Sequence, residues 1–244
     1  MSARRLRLYF MLEVLILAAG RGRRLRPLTD STPKALLQVG AESLIERHLR
    51  RLAAQGFGEV VINLAWLGEQ IRAQLGDGRR FNLRIRYSEE PAGALETGGG
   101  IARALRQLRG DPFLVINADI LCDFDFASLG VAEADDMQLA LVENPRGDSN
   151  DASAGGDFAL RDGRLLLPGG DAQTWTYAGI GCFRRRAFDA FDTTADARFP
   201  LLPVIERAIA DGRAGGQIHR GQWLDVGTPE RLAEARRWAG EPRR

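Results

Sequence analysis

The chain has 244 residues, 45% hydrophobic and 27% charged, with a net charge of +2. A balance so close to neutral speaks against a dedicated nucleic-acid binder and makes any basic cluster a local device. No apolar run approaches the ~18 residues of a membrane span, so neither nucleic acid nor membrane is expected as a partner. The length fits one large domain or two small ones. Two cysteines, Cys122 and Cys182, sit far apart without metal-ligand spacing and read as reduced thiols of a cytoplasmic protein.

Residues 1–10, MSARRLRLYF, are basic and precede a second methionine, Met11. They lack the apolar stretch and cleavage site of a signal peptide, and read as an extension outside a single domain of residues 11–244. The domain opens on EVLILAA (13–19), a first core strand. SLIERHLRRLAAQG (43–56) has helical spacing and ends at Gly56, EVVINLA (59–65) is a strand, GEQIRAQLGDG (68–78) a helix and LRIRYS (83–88) a strand. GIARALRQLRG (100–110) is helical and PFLVINADI (112–120) a strand again. Such alternation predicts an α/β, Rossmann-like, mostly parallel (mixed) sheet flanked by helices. Ligands of these sheets bind beyond the carboxyl ends of the strands, so chemistry is sought in the loop after each.

Beyond Leu141 the rhythm weakens. Residues 144–156, rich in Gly, Ser, Asp and Asn, read as a mobile surface loop. FALRDGRLLL (158–167) predicts a hairpin around Asp162-Gly163, TYAGIGCF (176–183) a strand, FPLLPVIERAIADG (199–212) a helix and QIHRGQWLDVG (217–227) one more strand. Thr228 caps a last helix with Pro229 at its first position.

Four stretches carry candidate chemistry. Gly20-Arg21-Gly22 follows the first strand, where glycine lets backbone N–H groups approach an anion. Leu25 stands where the dinucleotide fingerprint needs its third glycine, and no Gly-Lys-Ser/Thr completes a P-loop. A solvated basic loop is the plain alternative. Against it, Arg21, Arg23, Arg24, Arg26 and Lys34 face only Asp30, a density that suits a polyphosphate. LETGGG (95–100) places three glycines ahead of a helix beginning at Ile101, either as a flexible start or as a close-approach surface for a flat base or sugar, with Glu96 or Thr97 hydrogen-bonding. In FLVINADI, Asn117 and Asp119 directly follow an apolar strand. Asp119 could be a helix cap or surface carboxylate; beside a polyphosphate it suits Mg²⁺ better. Asp225 repeats the arrangement before Gly227 and Thr228. His48 and His219 are isolated, with His48 read as surface or packing, and no nucleophile–histidine pair is visible.

In this order the motifs resemble the sugar-1-phosphate nucleotidyltransferases, over roughly residues 12–238. That family has a strand, Gly-x-Gly-x-Arg, Pro-Lys, a glycine-rich base loop, an Asp after a core strand and a late Asp-x-Gly-Thr. Here these are Gly20, Gly22, Arg24, Pro33-Lys34, residues 95–100, Asp119, and Asp225 to Thr228. Ala118 departs from the Asn-Gly-Asp of many relatives, and the 144–156 loop is longer than expected. VINLAWLGEQI, LETGGGI, GDF and RGQWLDVGT look most like the N-acetylmuramate α-1-phosphate uridylyltransferases of cell-wall recycling.

The resemblance implies a GT-A-like fold with no C-terminal β-helix, as a monomer or small homo-oligomer. It implies nucleotide binding by Ala18, Ala19, Gly20, Gly22, Arg23, Arg24, Lys34, Glu96, Thr97, Gly98 and Asn117. Asp157, Tyr177 and Gly179 would hold the sugar phosphate, and Asp119 and Asp225 would hold Mg²⁺. Arg24 and Lys34 would be the catalytic cations. The partners implied are a nucleoside triphosphate, UTP first, and a sugar 1-phosphate, N-acetylmuramate 1-phosphate first; mannose-1-phosphate guanylyl or glucose-1-phosphate thymidylyl transfer is the alternative. A Rossmann oxidoreductase would leave Arg24 and Lys34 without a role. A non-catalytic nucleotide sensor should have lost a metal carboxylate or Lys34.

Overall fold

The first apolar run forms a strand covered on both faces: Val14, Leu15 and Ile16 are fully buried, the pattern of a strand inside a parallel sheet. In this computed structural model residues 12–91, 95–144, 155–170, 172–193 and 197–240 are described; the expected extension (1–10) and most of the 144–156 loop lie outside them. The chain runs β1 (Val14–Leu17), β2 (Gln38–Val39), β3 (Glu42–Ser43), α1 (Leu44–Ala54), β4 (Glu59–Leu64), α2 (Gly68–Leu75), β5 (Arg84–Glu89), α3 (Glu96–Ala104), β6 (Phe113–Asn117), β7 (Ile120–Cys122) and β8 (Met137–Val142). It continues through β9 (Phe158–Arg161), β10 (Arg164–Leu166), β11 (Thr174–Phe183), α4 (Leu202–Ala210), β12 (Ala214–Ile218), β13 (Trp223–Asp225) and α5 (Pro229–Gly240).

Nine strands share one sheet in the order β5-β4-β1-β6-β11-β8-β12-β10-β9. The first four are mutually parallel, as the βα alternation predicts. β11 then runs antiparallel to both β6 and β8, and β12 parallel to β8. β9 pairs with β10 and also with the start of β11, so this end of the sheet curls closed instead of presenting a bare edge. The sheet is therefore mixed, with its parallel half at the N-terminal side.

Side chains of β1 alternate between two cores. Val14 and Ile16 pack with α1 and α2 residues such as Leu49 and Ile71. Leu15 packs on the other face with Ile101 of α3 and Val204 of α4. A third, smaller core gathers Leu25, Leu37, Leu121, Leu224, Val226 and Leu232 beside α5. Ser43 starts α1 with a reciprocal cap: the Glu46 N–H donates to its hydroxyl, and the Ser43 N–H donates to the Glu46 carboxylate. The hairpin turns at Asp162 (φ 50°) and Gly163 (φ 77°), the left-handed pair a two-residue loop requires. Both cysteines are free and buried. No helix among the described residues is long and apolar enough to cross a membrane.

Two elements differ from expectation. QIHRGQWLDVG is two strands in two sheets, with β12 in the main sheet and β13 antiparallel to β7. The break falls where His219 Nε2 meets Asp123 Oδ1 at 2.9 Å, and a Cβ on Gly221 would strike that same carboxylate. The glycine-rich helix α3 begins at Glu96, not Ile101, so Gly98 to Gly100 lie inside its first turns.

His48 is packing, not surface: it is 2% exposed in α1 beside Phe126. Neither ring nitrogen meets a partner at hydrogen-bonding geometry among the described residues. Burial, reinforced by Arg51, lowers its pKa to about 4, with the Ile120 backbone and Asp119 opposing only in part. The folded chain then refuses a proton that the unfolded chain accepts near the ordinary 6.5, so stability falls as pH drops from 6.5 towards 4. Thermal unfolding of the parent and His48→Leu across that window should show the parent losing midpoint temperature relative to the variant as pH falls.

Candidate active site

The site is built at the carboxyl edge of the parallel strands. After β1 the chain turns through Ala18 and Ala19, whose N–H groups both donate to Asn63 Oδ1 at the end of β4, at 2.6 and 3.2 Å. Asn63 Nδ2 donates to Glu90 Oε1 at 2.7 Å, and the Leu95 N–H donates to Glu90 Oε2 at 2.9 Å. One network thus ties the loops after β1, β4 and β5. Burial raises the Glu90 carboxyl above its usual range, and the Leu95 and Asn63 donors offset part of that.

A cleft of about 230 Å³ opens here, lined by Ala18, Ala19, Gly20, Lys34, Asn63, Glu90, Glu96, Thr97, Asn117 and Asp119 among others. Seven of the expected nucleotide residues are on this wall. Gly22, Arg23, Arg24 and Gly98 are not. Asn63 and Glu90 were missed by the motif argument, although each is a polar residue ending or following a strand at this same edge.

The basic turn owes its glycine to its own fold. Gly22 is left-handed (φ 62°), and a Cβ there would come within 2.9 Å of Thr29 Cγ2, while the Thr29 hydroxyl donates to the Gly22 carbonyl at 2.8 Å. The turn so closed leaves Arg21, Arg23, Arg24 and Arg26 exposed. Lys34 reaches inward, with Nζ 2.5 Å from Asp119 Oδ2.

Asp119 and Asp225, far apart in sequence, meet through β7 and β13: Asp225 sits opposite Ile120, and the Val226 N–H donates to the Asp119 carbonyl at 2.9 Å. Arg231 of α5 donates from Nη1 to Asp225 Oδ2 at 3.2 Å. A Cβ on Gly227 would lie 2.8 Å from Arg24 Nη2 and 3.1 Å from Asp225 Oδ2, so this glycine leaves room for Arg24 to reach the Asp225 turn. The expected cations and carboxylates therefore gather in one region. Among the described residues no group of three or more His, Cys, Asp or Glu side chains is placed to hold a metal ion.

The glycine-rich segment works differently from its sequence reading. A Cβ on Gly98 would lie 2.5 Å from the Phe199 ring, one on Gly99 would strike the Ala197 carbonyl, and one on Gly100 would lie 2.6 Å from Glu90 Oε1. The Gly99 N–H donates to the Phe199 carbonyl at 3.0 Å. These glycines admit the chain's own segment 197–200 and Glu90, and Gly98 is buried against Phe199. Only Glu96 and Thr97 of this motif face the cleft.

On the far side, Asp157 is exposed and its Oδ2 accepts from the Tyr177 N–H at 2.8 Å. Gly179 is left-handed (φ 73°), and a Cβ there would lie 2.7 Å from Asn117 Nδ2. Tyr177 and Gly179 lie on β11, and Asp157, just before β9, is tied to it by the Tyr177 N–H; none of the three lines the cleft, and only Gly179 abuts one of its wall residues, Asn117. The Tyr177 hydroxyl is buried without a partner among the described residues, and burial raises its pKa.

The family model described as nucleotidyl transferase matches residues 13–240. An N-acetylmuramate alpha-1-phosphate uridylyltransferase from Neisseria meningitidis serogroup B is 46% identical over 237 residues, covering 94% of this chain and 99% of that protein. One from Caulobacter vibrioides is 35% identical, covering 91% and 97%. The solved structure of the inositol-1-phosphate CTP transferase from T. maritima superposes with a TM-score of 0.71 at 18% identity over 95% of this chain and 97% of that one, a likeness of fold. The chain belongs to the nucleotidyl transferase family.

Asn63→Ala removes the shared acceptor of Ala18 and Ala19 and one donor to Glu90. Leaving buried groups unpaired costs about 1–3 kcal/mol, and urea unfolding should show a loss of that size.

Proposed function

We propose that this nucleotidyl transferase moves the uridylyl group of UTP onto N-acetylmuramate 1-phosphate, releasing pyrophosphate and UDP-N-acetylmuramate. The observation that carries the reaction class is the pairing of Lys34 with Asp119, with Arg24 and Asp225 on either side of Gly227, beside a cleft at the parallel-strand edge. The choice of substrates rests on the two uridylyltransferases to which the chain is similar.

In this reaction an oxygen of the sugar phosphate attacks the α-phosphorus of UTP, the new P–O bond forms, and the bond to the bridging oxygen breaks as pyrophosphate leaves. The nucleophile is already an anion, so no general base is needed; His48 is buried in α1 and His219 is held by Asp123. What the chain must supply is positioning and compensation of negative charge. Lys34, 12% exposed, holds the α-phosphate as charge builds there, and Arg24 holds the departing phosphates. Asp157, Tyr177 and Gly179 form the sugar side.

Asp119 and Asp225 offer the hard oxygen donors that Mg²⁺ takes, in the one or two carboxylates it combines with substrate phosphates. When bound, the ion would draw charge from the phosphates. Lys34 and Arg231 keep the two carboxylates oriented and compensated.

Pyrophosphate release from a matrix of UTP, dTTP and GTP against N-acetylmuramate, glucose and mannose 1-phosphates tests the reading, and UTP with N-acetylmuramate 1-phosphate should turn over fastest. Lys34→Ala should then lose about 10²–10³ in kcat, the cost of removing one preorganised charge contact. A variant within tenfold of the parent would exclude that role.

A further inference from the structure

The corner between β4 and α2 has no part in the chemistry above, yet it grips the basic turn. The Trp66 indole N–H donates to the Thr29 carbonyl at 3.1 Å. The Arg21 guanidinium lies over the same ring, 4.2 Å from its centre. One turn further along, Gln70 Nε2 donates to the Ser31 carbonyl at 3.0 Å. Thr29 is itself buried, and its hydroxyl folds the turn back onto Gly22. A single side chain therefore touches the turn at its start and at its fold.

The backbone is bent to deliver that side chain. Leu67, next in sequence, is left-handed (φ 53°), an uncommon state for a bulky residue, and serves as the cap of α2. Gly68 follows, where a Cβ would lie 2.8 Å from Leu64 Cβ. Strain of this kind collects where a side chain must be aimed. What it is aimed at needs holding, since Arg21, Arg23, Arg24 and Arg26 are exposed and repel one another. Arg26 pairs with Asp30 at 3.0 Å, and Asp225 lies across Gly227 from Arg24.

We propose that Trp66 is a positioning residue for the triphosphate. By clipping Arg21 and Thr29 together it holds the basic turn in the curve that meets a polyphosphate. It does not line the cleft itself. The identity of the ligand as UTP rests on the proposed function; the clip does not.

The test uses the full chain and the variants Trp66→Leu and Trp66→Phe, with calorimetric titration of UTP plus magnesium and, separately, of inorganic tripolyphosphate. KM is measured for both substrates. Trp66→Leu should weaken UTP and tripolyphosphate together by about tenfold, since a turn misplaced by an ångström loses that much or more. The KM for the sugar phosphate and the unfolding temperature should stay close to the parent's. Trp66→Phe keeps the ring under Arg21 but loses the donor to Thr29, and should fall between, at severalfold. UTP and tripolyphosphate affinities within twofold of the parent in Trp66→Leu, or equal rises in both KM values, overturn the proposal. If Trp66→Leu does not fold, parent-like affinities in Trp66→Phe overturn it. A parent that binds tripolyphosphate but not UTP refutes the choice of nucleotide, and the tripolyphosphate ratio still decides the role of Trp66.

Discussion

The antiparallel pairing of β13 with β7 is the contact on which the site depends. It sets Asp225 across from Ile120 and ties Val226 to the Asp119 carbonyl, and without it the two carboxylates belong to unrelated parts of the chain. The pairing is only three residues long, too short to hold by its ladder alone. It is held by the small core behind it. Leu25 anchors the segment of Arg24, Leu37 that of Lys34, Leu121 that of Asp119, and Leu224 with Val226 flank Asp225, all closed by Leu232 and Ala235 of α5. Each of these four segments thus carries an apolar neighbour into one shared cluster.

Magnitudes explain why placement is left to that cluster. Burying one leucine or valine contributes about 1.5–3 kcal/mol, whereas an ion pair with solvent access contributes at most about 1 kcal/mol. The Lys34–Asp119 and Arg231–Asp225 pairs are partly exposed, at 12% and 34% and at 26% and 29%. They orient and compensate the carboxylates that apolar burial has already brought together. Charges placed in this way need little rearrangement when a substrate arrives, which is the condition for electrostatic catalysis.

Much of this was legible in the sequence where the signal is local. The helical spacing from Ser43, the Asp162-Gly163 hairpin and the continuous apolar run of β1 are each local and state their own geometry. Seven of the residues expected to bind a nucleotide do line one cleft. What could not be read was contact between distant segments. The LETGGG glycines look like a ligand surface until residues 197–200 are seen lying on them. Asn63 and Glu90 carry no motif, because their task is to join three loops that meet only in space. QIHRGQWLDVG reads as one strand because its division is imposed by Asp123 at Gly221, a partner nearly a hundred positions earlier.

The central claim is that Asp119 and Asp225 act on one ion. Mn²⁺ in place of Mg²⁺, followed by electron paramagnetic resonance in the presence of UTP, gives its affinity for the parent, Asp119→Asn, Asp225→Asn and the double variant. If both carboxylates share the ion, the double variant departs from the sum of the single losses by more than about 0.5 kcal/mol, the limit of additivity for independent sites. Losses that add within that limit would place the two carboxylates at separate tasks and contradict the account.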